Sequence, residues 1–339
     1  MPAELIFLSQ EDVVAAGGLD MDACLDTIEE TLALHHRGET ISPPKASIHW
    51  SDDLDSDEKL GRIMAMPAYV GGKTDTAGLK WIPSVPSNPE RGLPRGIGLI
   101  VLSDPATGLP RAVLDGTVVS AMRTGAVTGV AVRHLARRDA GAVLLLGAGV
   151  QARTQILALE RTVPELSEIR LFDPRKDKAE ALAEERSDLP IRIVPDPAEA
   201  SRGADVVVPA TMAAEPFITP DWLGPGSLLV SVSSLDPTVE TVAEADLVVA
   251  DDVEHETAHA SRLLARAEAA GLLDRDTVVP LGAIVDGVHP GRTSDEQRIV
   301  VSPIGMGIED VAWAAAVVRR AETDGLGRRL TLWEQPLWL

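Results

Sequence analysis

The segment Ala142-Val143-Leu144-Leu145-Leu146-Gly147-Ala148-Gly149-Val150-Gln151-Ala152 decides how this chain folds. Val143–Leu146 is a short continuous aliphatic run that reads as a buried strand, and the residues after Gly149 continue as a helix through Leu157. Between them, Gly147 permits a tight turn, Gly149 lets a ligand approach the backbone, and Ala152 is small enough for close packing of helix on strand. Gly-x-Gly-x-x-Ala by itself is a weak pattern. Set between a strand and a helix, it presents backbone N–H groups and a positive helix end to a pyrophosphate, and so reads as a dinucleotide-binding turn.

Working outward from the turn, candidate strands at 142–146, 168–172, 191–194, 205–208, 227–230 and 246–250 alternate with helical stretches, which implies a parallel, Rossmann-type sheet. The second of them ends in Asp173, at the offset where a carboxylate accepts the adenosine-ribose hydroxyls. This favours NAD, while Arg175 and Lys176 keep NADP open. A plainer role for Asp173 is a cap in Asp-Pro-Arg.

Upstream, a helix is expected over Met21–His36, with short strands at 62–69, 77–82, 96–103 and 110–114 separated by Pro- and Gly-bearing turns. These suggest an antiparallel sheet with helices on one face. A long helix over 116–137 leads into the glycine motif, and a tail helix over 304–322 is expected to rejoin the N-terminal half. The fold class is thus α/β, a Rossmann domain over 121–304 with an α+β substrate and dimerisation domain formed by 1–120 and 305–339.

The 339 residues carry a formal charge of −21, which opposes nucleic acid and anionic membrane surfaces as partners. No apolar run approaches the roughly 20 residues that span a bilayer. Cys24 is the single cysteine, so a disulfide framework and multi-cysteine metal sites are excluded, in keeping with a reducing cytoplasm. The acidic run over 52–58 reads as a solvated loop.

His255-Glu256-Thr257-Ala258-His259 matches H-E-x-x-H, which on a helix would set two imidazoles on one face with a glutamate as base. It lacks a distinctive third ligand. A solvated helix after the last strand accounts for it, and no metal is expected.

Several separated segments together resemble the ornithine cyclodeaminase/μ-crystallin family over nearly the whole chain. They are Met66-Pro67-Ala68-Tyr69, Gly78-Leu79-Lys80-Trp81, Asn88-Pro89-Glu90-Arg91-Gly92-Leu93-Pro94, Met122-Arg123-Thr124-Gly125-Ala126-Val127, the glycine turn, and Ser234-Leu235-Asp236-Pro237. Lys80-Trp81-Ile82-Pro83-Ser84 and Ser302-Pro303-Ile304-Gly305-Met306-Gly307-Ile308-Glu309-Asp310 look most like the branch that makes L-2,3-diaminopropionate for siderophores. That branch oxidises N-(2-amino-2-carboxyethyl)-L-glutamate with NAD and releases 2-oxoglutarate.

The resemblance implies a site. Lys80 and Arg123 match residues that hold the substrate carboxylate, Lys45 stands where many relatives have arginine, and Met66 and Ile304 match pocket positions. Asp236 matches the catalytic acid/base, with Lys80 beside it in the catalytic set. Thr124, Val150, Gln151, Thr211 and Ser233 match nucleotide-contacting positions, and Arg95 pairs with a substrate carboxylate or a cofactor phosphate. By residue type alone, Lys80 could be a surface strand residue, Arg123 a helix-face ion pair, and Asp236 a turn former.

Cyclodeaminases carry a glutamate two residues before the Met-Pro pair to hold the distal amino group of ornithine. Here that position is Met64, which shifts the expectation from cyclodeamination to dehydrogenation. Ornithine cyclodeaminase, ketimine or imino-acid reductase, and a non-catalytic ligand-binding protein are the alternatives. The resemblance also implies a homodimer formed through the N-terminal sheet.

Overall fold

The computed structural model describes residues 2–51, 60–233 and 235–338. The acidic run 52–58 and Ser234 lie outside them. In chain order the elements begin with β1 (Ala3–Leu8), α1 (Gln10–Ala15), α2 (Met21–His36), β2 (Thr40–Ile41), β3 (Ala46–Trp50), β4 (Gly61–Val70), β5 (Thr76–Ser84), β6 (Leu99–Ser103), β7 (Pro110–Asp115) and α3 (Thr117–Leu135). Then come β8 (Ala142–Leu146), α4 (Val150–Thr162), β9 (Glu168–Phe172), α5 (Lys176–Glu185), β10 (Ile191–Ile193), α6 (Pro197–Ser201), β11 (Val206–Pro209) and β12 (Leu228–Val230). The chain ends with α7 (Val239–Ala243), β13 (Leu247–Ala250), α8 (Val253–Ala258), α9 (Leu263–Ala269), β14 (Val279–Pro280), α10 (Leu281–Val285), β15 (Ile299–Ser302), α11 (Gly307–Asp324) and β16 (Arg328–Trp333).

The chain divides into an N-terminal unit, residues 1–123 with 306–339, and a central unit, residues 124–305. The sheet of the N-terminal unit runs β16-β1-β7-β6-β5-β4-β2, with β3 also paired to β4. It is mixed rather than antiparallel throughout, because β1, which the sequence reading does not mark as a strand, lies parallel to β7. Such a pairing joins segments distant in sequence, and no local turn signal announces it.

The α11 helix packs on β4, β5 and β6, α1 packs on β1 and β7, and α2 packs on α11. On α2, Met21, Cys24, Leu25, Ile28 and Leu32 recur at helical spacing and are buried, and Asp20 caps the helix by accepting from Ala23 N–H at 3.1 Å. The α11 helix packs close to the sheet because glycines permit it. A Cβ on Gly78 would lie 2.9 Å from both Leu102 and Val311, and one on Gly307 would lie 2.9 Å from the Met66 carbonyl. Glycine at 307 therefore seats the first turn of α11, which carries Glu309 and Asp310, against β4.

The central unit is a Rossmann-type, all-parallel sheet in the order β10-β9-β8-β11-β12-β15-β13-β14. The β8–β9–β10 and β11–β12 runs wind outward in opposite directions from the β8/β11 junction, where such sheets open a ligand crevice at their carboxyl ends. Residues 246–250 supply a strand as expected, β13, but β15, which the sequence reading does not mark as a strand, is inserted between β12 and β13. Ile299, Val300 and Val301 are completely buried, and so short an apolar run has no periodicity that separates strand from buried helix.

Candidate functional site

The glycine turn of the central unit has the geometry its sequence requires. Gly147 has φ +99°, and a Cβ there would meet the Ala210 carbonyl at 2.6 Å. Gly149 is the opposite case. It is the N-cap of α4, no atom lies within 4 Å of where its Cβ would be, and no side chain caps the helix. The open space and the uncapped first-turn N–H groups fit a diphosphate. Val150 is exposed, Gln151 half-buried and Ala152 buried against the sheet.

Asp173, just past β9, accepts from Ala148 N–H and from Arg175 N–H, each at 2.9 Å. It thus closes its own turn and grips the glycine turn. Arg175 is mostly exposed, its Nε 3.6 Å from the same carboxylate. Thr124 lies on α3, where its carbonyl accepts from Gln155 Nε2.

Past the carboxyl ends of β11 and β12 lie Thr211, Ser233 and Asp236. The Thr211 hydroxyl sits 2.9 and 3.0 Å from the two carboxylate oxygens of Asp236, and Ser233 donates at 3.2 Å. The Asp236 carbonyl accepts from Phe217 and Ile218 N–H, so its backbone is fixed as well. Asp236 is fully buried. Burial raises its pKa, and the hydroxyl bonds from Thr211 and Ser233 only partly offset that. A carboxyl group so biased holds a proton more readily than a free carboxylate, which suits a general acid or base.

In the N-terminal unit, Lys80 of β5 is paired across the strands with Met66 of β4, and both are buried. Met64, two residues earlier, shares that face. Lys45 is half-buried at the entry to β3, next to the Ala46–Ala65 pair. Arg95 lies on the β5–β6 loop, half-buried, its carbonyl accepting from Val85 N–H.

Lys80 and Arg123 are brought together by carboxylates. Lys80 Nζ is 2.6 Å from Asp310 and donates to Ser120 Oγ at 3.1 Å. Arg123 reaches Glu309 with Nη1 at 2.7 Å and Asp310 with Nε at 3.2 Å. Lys80 is 1% exposed, Arg123 8%, and both acids are fully enclosed. Burial, with the Arg123 charge second, lowers the Lys80 pKa to about 8, and Asp310 opposes the drop.

The sequence reading quotes Glu309 and Asp310 without giving them a role. Their signal is ambiguous, since acids in the first turn of a helix are ordinary dipole partners. It also misses Asp251, which accepts from Ile304 and Gly305 N–H at 2.8 and 2.7 Å and so holds the loop that carries Ile304.

The H-E-x-x-H segment has a structural explanation. Glu256 is buried and accepts from Ser302 Oγ at 2.6 Å, and His255 Nδ1 lies 2.8 Å from Asp252. His259 caps the short α8 in extended conformation, so the two imidazoles do not share a helix face. Among the described residues no group of three or more His, Cys, Asp or Glu is placed to hold a metal ion, and no helix is long and apolar enough to cross a membrane.

Comparison with known proteins agrees with this architecture. The chain is 28% identical to an N-((2S)-2-amino-2-carboxyethyl)-L-glutamate dehydrogenase of Staphylococcus aureus over 98% of its length and 100% of the relative's. It is 32% identical to an alanine dehydrogenase of Archaeoglobus fulgidus, covering 96% of this chain and 98% of that one. Among solved structures, an archaeal alanine dehydrogenase dimer with bound NAD superposes with a TM-score of 0.86 at 30% identity, covering 97% of this chain and all of that one. Residues 4–325 match the ornithine cyclodeaminase/mu-crystallin family model, and the chain belongs to that family.

Proposed function

We propose that the chain is an NAD-dependent dehydrogenase that oxidises the amine of an amino acid at Cα to an imine and hydrolyses it. The substrate is of the N-(2-amino-2-carboxyethyl)-L-glutamate type, giving 2-oxoglutarate and L-2,3-diaminopropionate. The observation that carries this reading is Asp236, a buried carboxylate bonded by the Thr211 and Ser233 hydroxyls at the carboxyl edge of the Rossmann sheet. In this reading Asp236 takes the ammonium proton, which frees the nitrogen lone pair, and later activates the water that attacks the imine. The Gly147–Gly149 turn would hold NAD, whose nicotinamide would supply the hydride acceptor.

Lys80 and Arg123 supply the cationic half of the reading, holding substrate carboxylate in the N-terminal unit. Met64 sets the substrate class. It lies on the same face as Lys80, so a second ammonium on the substrate would meet a thioether there instead of a carboxylate, which disfavours ornithine cyclodeamination. A homodimer is part of the proposal. Trp81 and Leu99, a cross-strand pair on the face opposite Lys80, are 41% and 40% exposed, and the archaeal relative is a dimer.

The test is a substrate panel with NAD and NADP, following both NADH absorbance and amino-acid products. It contains the substituted glutamate, L-alanine and L-ornithine, with Asp236→Asn and Lys80→Ala as controls. Net NADH with release of 2-oxoglutarate from the first supports the proposal. Proline formed from ornithine without net NADH identifies a cyclodeaminase instead, and NADH from alanine alone changes the substrate.

A further inference from the structure

The two cations assigned to substrate carboxylate are already neutralised inside the N-terminal unit. Lys80 and Arg123 contribute two positive charges, and Glu309 and Asp310 two negative ones, in a cluster with almost no solvent contact. Asp310 is its centre, since it alone touches both cations in this set of ion pairs, Lys80 at 2.6 Å with one oxygen and Arg123 Nε at 3.2 Å with the other. An ammonium has three donors. Ser120 accepts from one of those on Lys80 and the Asp310 oxygen stands 2.6 Å away as its ion-pair partner, so these two neighbours do not use up the ammonium's donors.

We infer that Asp310 is a positioning residue for amino-acid binding: by gripping both cations it keeps Lys80 charged and aims its remaining N–H at a substrate carboxylate. This rests on the function proposed above. Glu309 acts in the same sense at one remove, by anchoring Arg123 at 2.7 Å.

The groups facing Lys80 set the direction of the effect. From α3 come Arg123, which disfavours a second positive charge, and Ser120. From α11 come Asp310 and Glu309, which favour it. Cys24 of α2 lies near Arg123, Glu309 and Asp310 rather than against Lys80, and burial holds its thiol well up and therefore neutral. The cross-strand neighbours Met66 and Ile100 carry no charge. With Lys80 poised at about 8, loss of Asp310 lets burial and Arg123 prevail and discharges the amine. A substrate carboxylate would then be asked to bind a neutral amine.

The chain has six lysines, few enough for each to be followed in the carbon–proton NMR spectrum of full-length protein labelled with 13C-lysine. Lys80→Arg identifies the Lys80 signal by its disappearance. In the wild type the signal should titrate with a midpoint near 8. In Asp310→Asn the midpoint should fall by about one unit or more, as expected for removing an opposite charge at contact distance. In Glu309→Gln it should move the same way by less.

With the amino acid that the panel shows to be turned over, KM should rise about tenfold at a correspondingly lower pH in Asp310→Asn, while KM for NAD holds. An unchanged Lys80 midpoint in a folded Asp310→Asn overturns the inference. If that variant does not fold, an unchanged midpoint in Glu309→Gln does so. A midpoint that moves without any change in the pH dependence of the amino-acid KM overturns the substrate-positioning part. If the wild type turns over no amino acid with NAD, the function proposal fails, and the titration alone decides whether Asp310 sets the Lys80 charge.

Discussion

Replacing Thr211 with valine is the sharpest probe of the Asp236 site, because it keeps the side-chain shape and removes one hydroxyl. That hydroxyl lies within 3.0 Å of both Asp236 oxygens and stabilises the ionised carboxylate. Hydrogen bonds to charged groups contribute about 1.5–3 kcal/mol, and each 1.36 kcal/mol difference between protonation states corresponds to one pH unit. Burial already raises the Asp236 pKa, so losing this bond pushes it further in the same direction. The acidic limb of kcat/KM should therefore move up by roughly one to two pH units, with the plateau above it less affected.

The assay is kcat/KM for the amino acid against pH, in wild type and Thr211→Val, at saturating NAD. Two side effects need separating from the main one. Thr211 Oγ1 also accepts from Ala213 N–H at 3.0 Å, so the variant leaves a backbone donor unmatched, and Thr211 is itself a nucleotide-contact candidate. Both lower the whole profile without moving its limb. A limb at the wild-type pH, whatever the plateau, would refute the assignment of Asp236 as the titrating base.

Four further outcomes follow from the same geometry. Asp236→Asn should cost 10²–10⁴-fold in kcat, as about expected for loss of a general base, yet raise the melting temperature at neutral pH. The sign follows from a folded-state pKa above the unfolded one: the folded chain loses stability as pH rises from the unfolded pKa through the folded one, so the gain should vanish in acid, which thermal melts at pH 7 and pH 4 compare. Gly147→Ala should lose roughly 1–3 kcal/mol on urea denaturation, from positive φ and a Cβ 2.6 Å from a carbonyl. Gly149→Ala, with open space around its Cβ, should fold as the wild type but raise KM for NAD. Met64→Glu, which puts a carboxylate on the face that carries Lys80, should bring ornithine turnover above background in the proline-formation assay; no gain there would count against Met64 as the selectivity position.

The parts of the fold that could be read from sequence are those whose signal is local. The turn at Gly147–Gly149 follows from residue type at fixed spacing, and the α2 helix ends where Asp20 and the His35-His36 pair mark it. The β1 and β15 strands were not legible, since each joins its sheet through a partner far along the chain. The site divides in the same way. Lys80 and Arg123 were visible through family resemblance, but their buried partners stand 186 and 187 residues beyond Arg123 on a helix whose first-turn acids look like dipole partners. The ion cluster is a property of α11 seated on β4 and β5, and the glycines that let it sit there, Gly78 and Gly307, carry no charge signal at all.

The two ionisable groups assigned to chemistry are biased in opposite senses by one cause. Burial raises the Asp236 carboxyl and lowers the Lys80 amine, so each is pushed toward its neutral form. The restraints differ. Asp236 is held back by neutral hydroxyls, which stabilise the anion without adding charge, whereas Lys80 is held back by a full negative charge at 2.6 Å. A base that must gain and lose a proton in each turnover is served by the weaker restraint, because a cation at contact distance would fix it as a carboxylate. A cation that must stay charged to bind an anion is served by the stronger one. In the proposed reaction the contrast suits Asp236 to proton transfer and Lys80 to anchoring, and it predicts different pH signatures, with Asp236 on the acidic limb of kcat/KM and Lys80 on the alkaline rise of KM near pH 8.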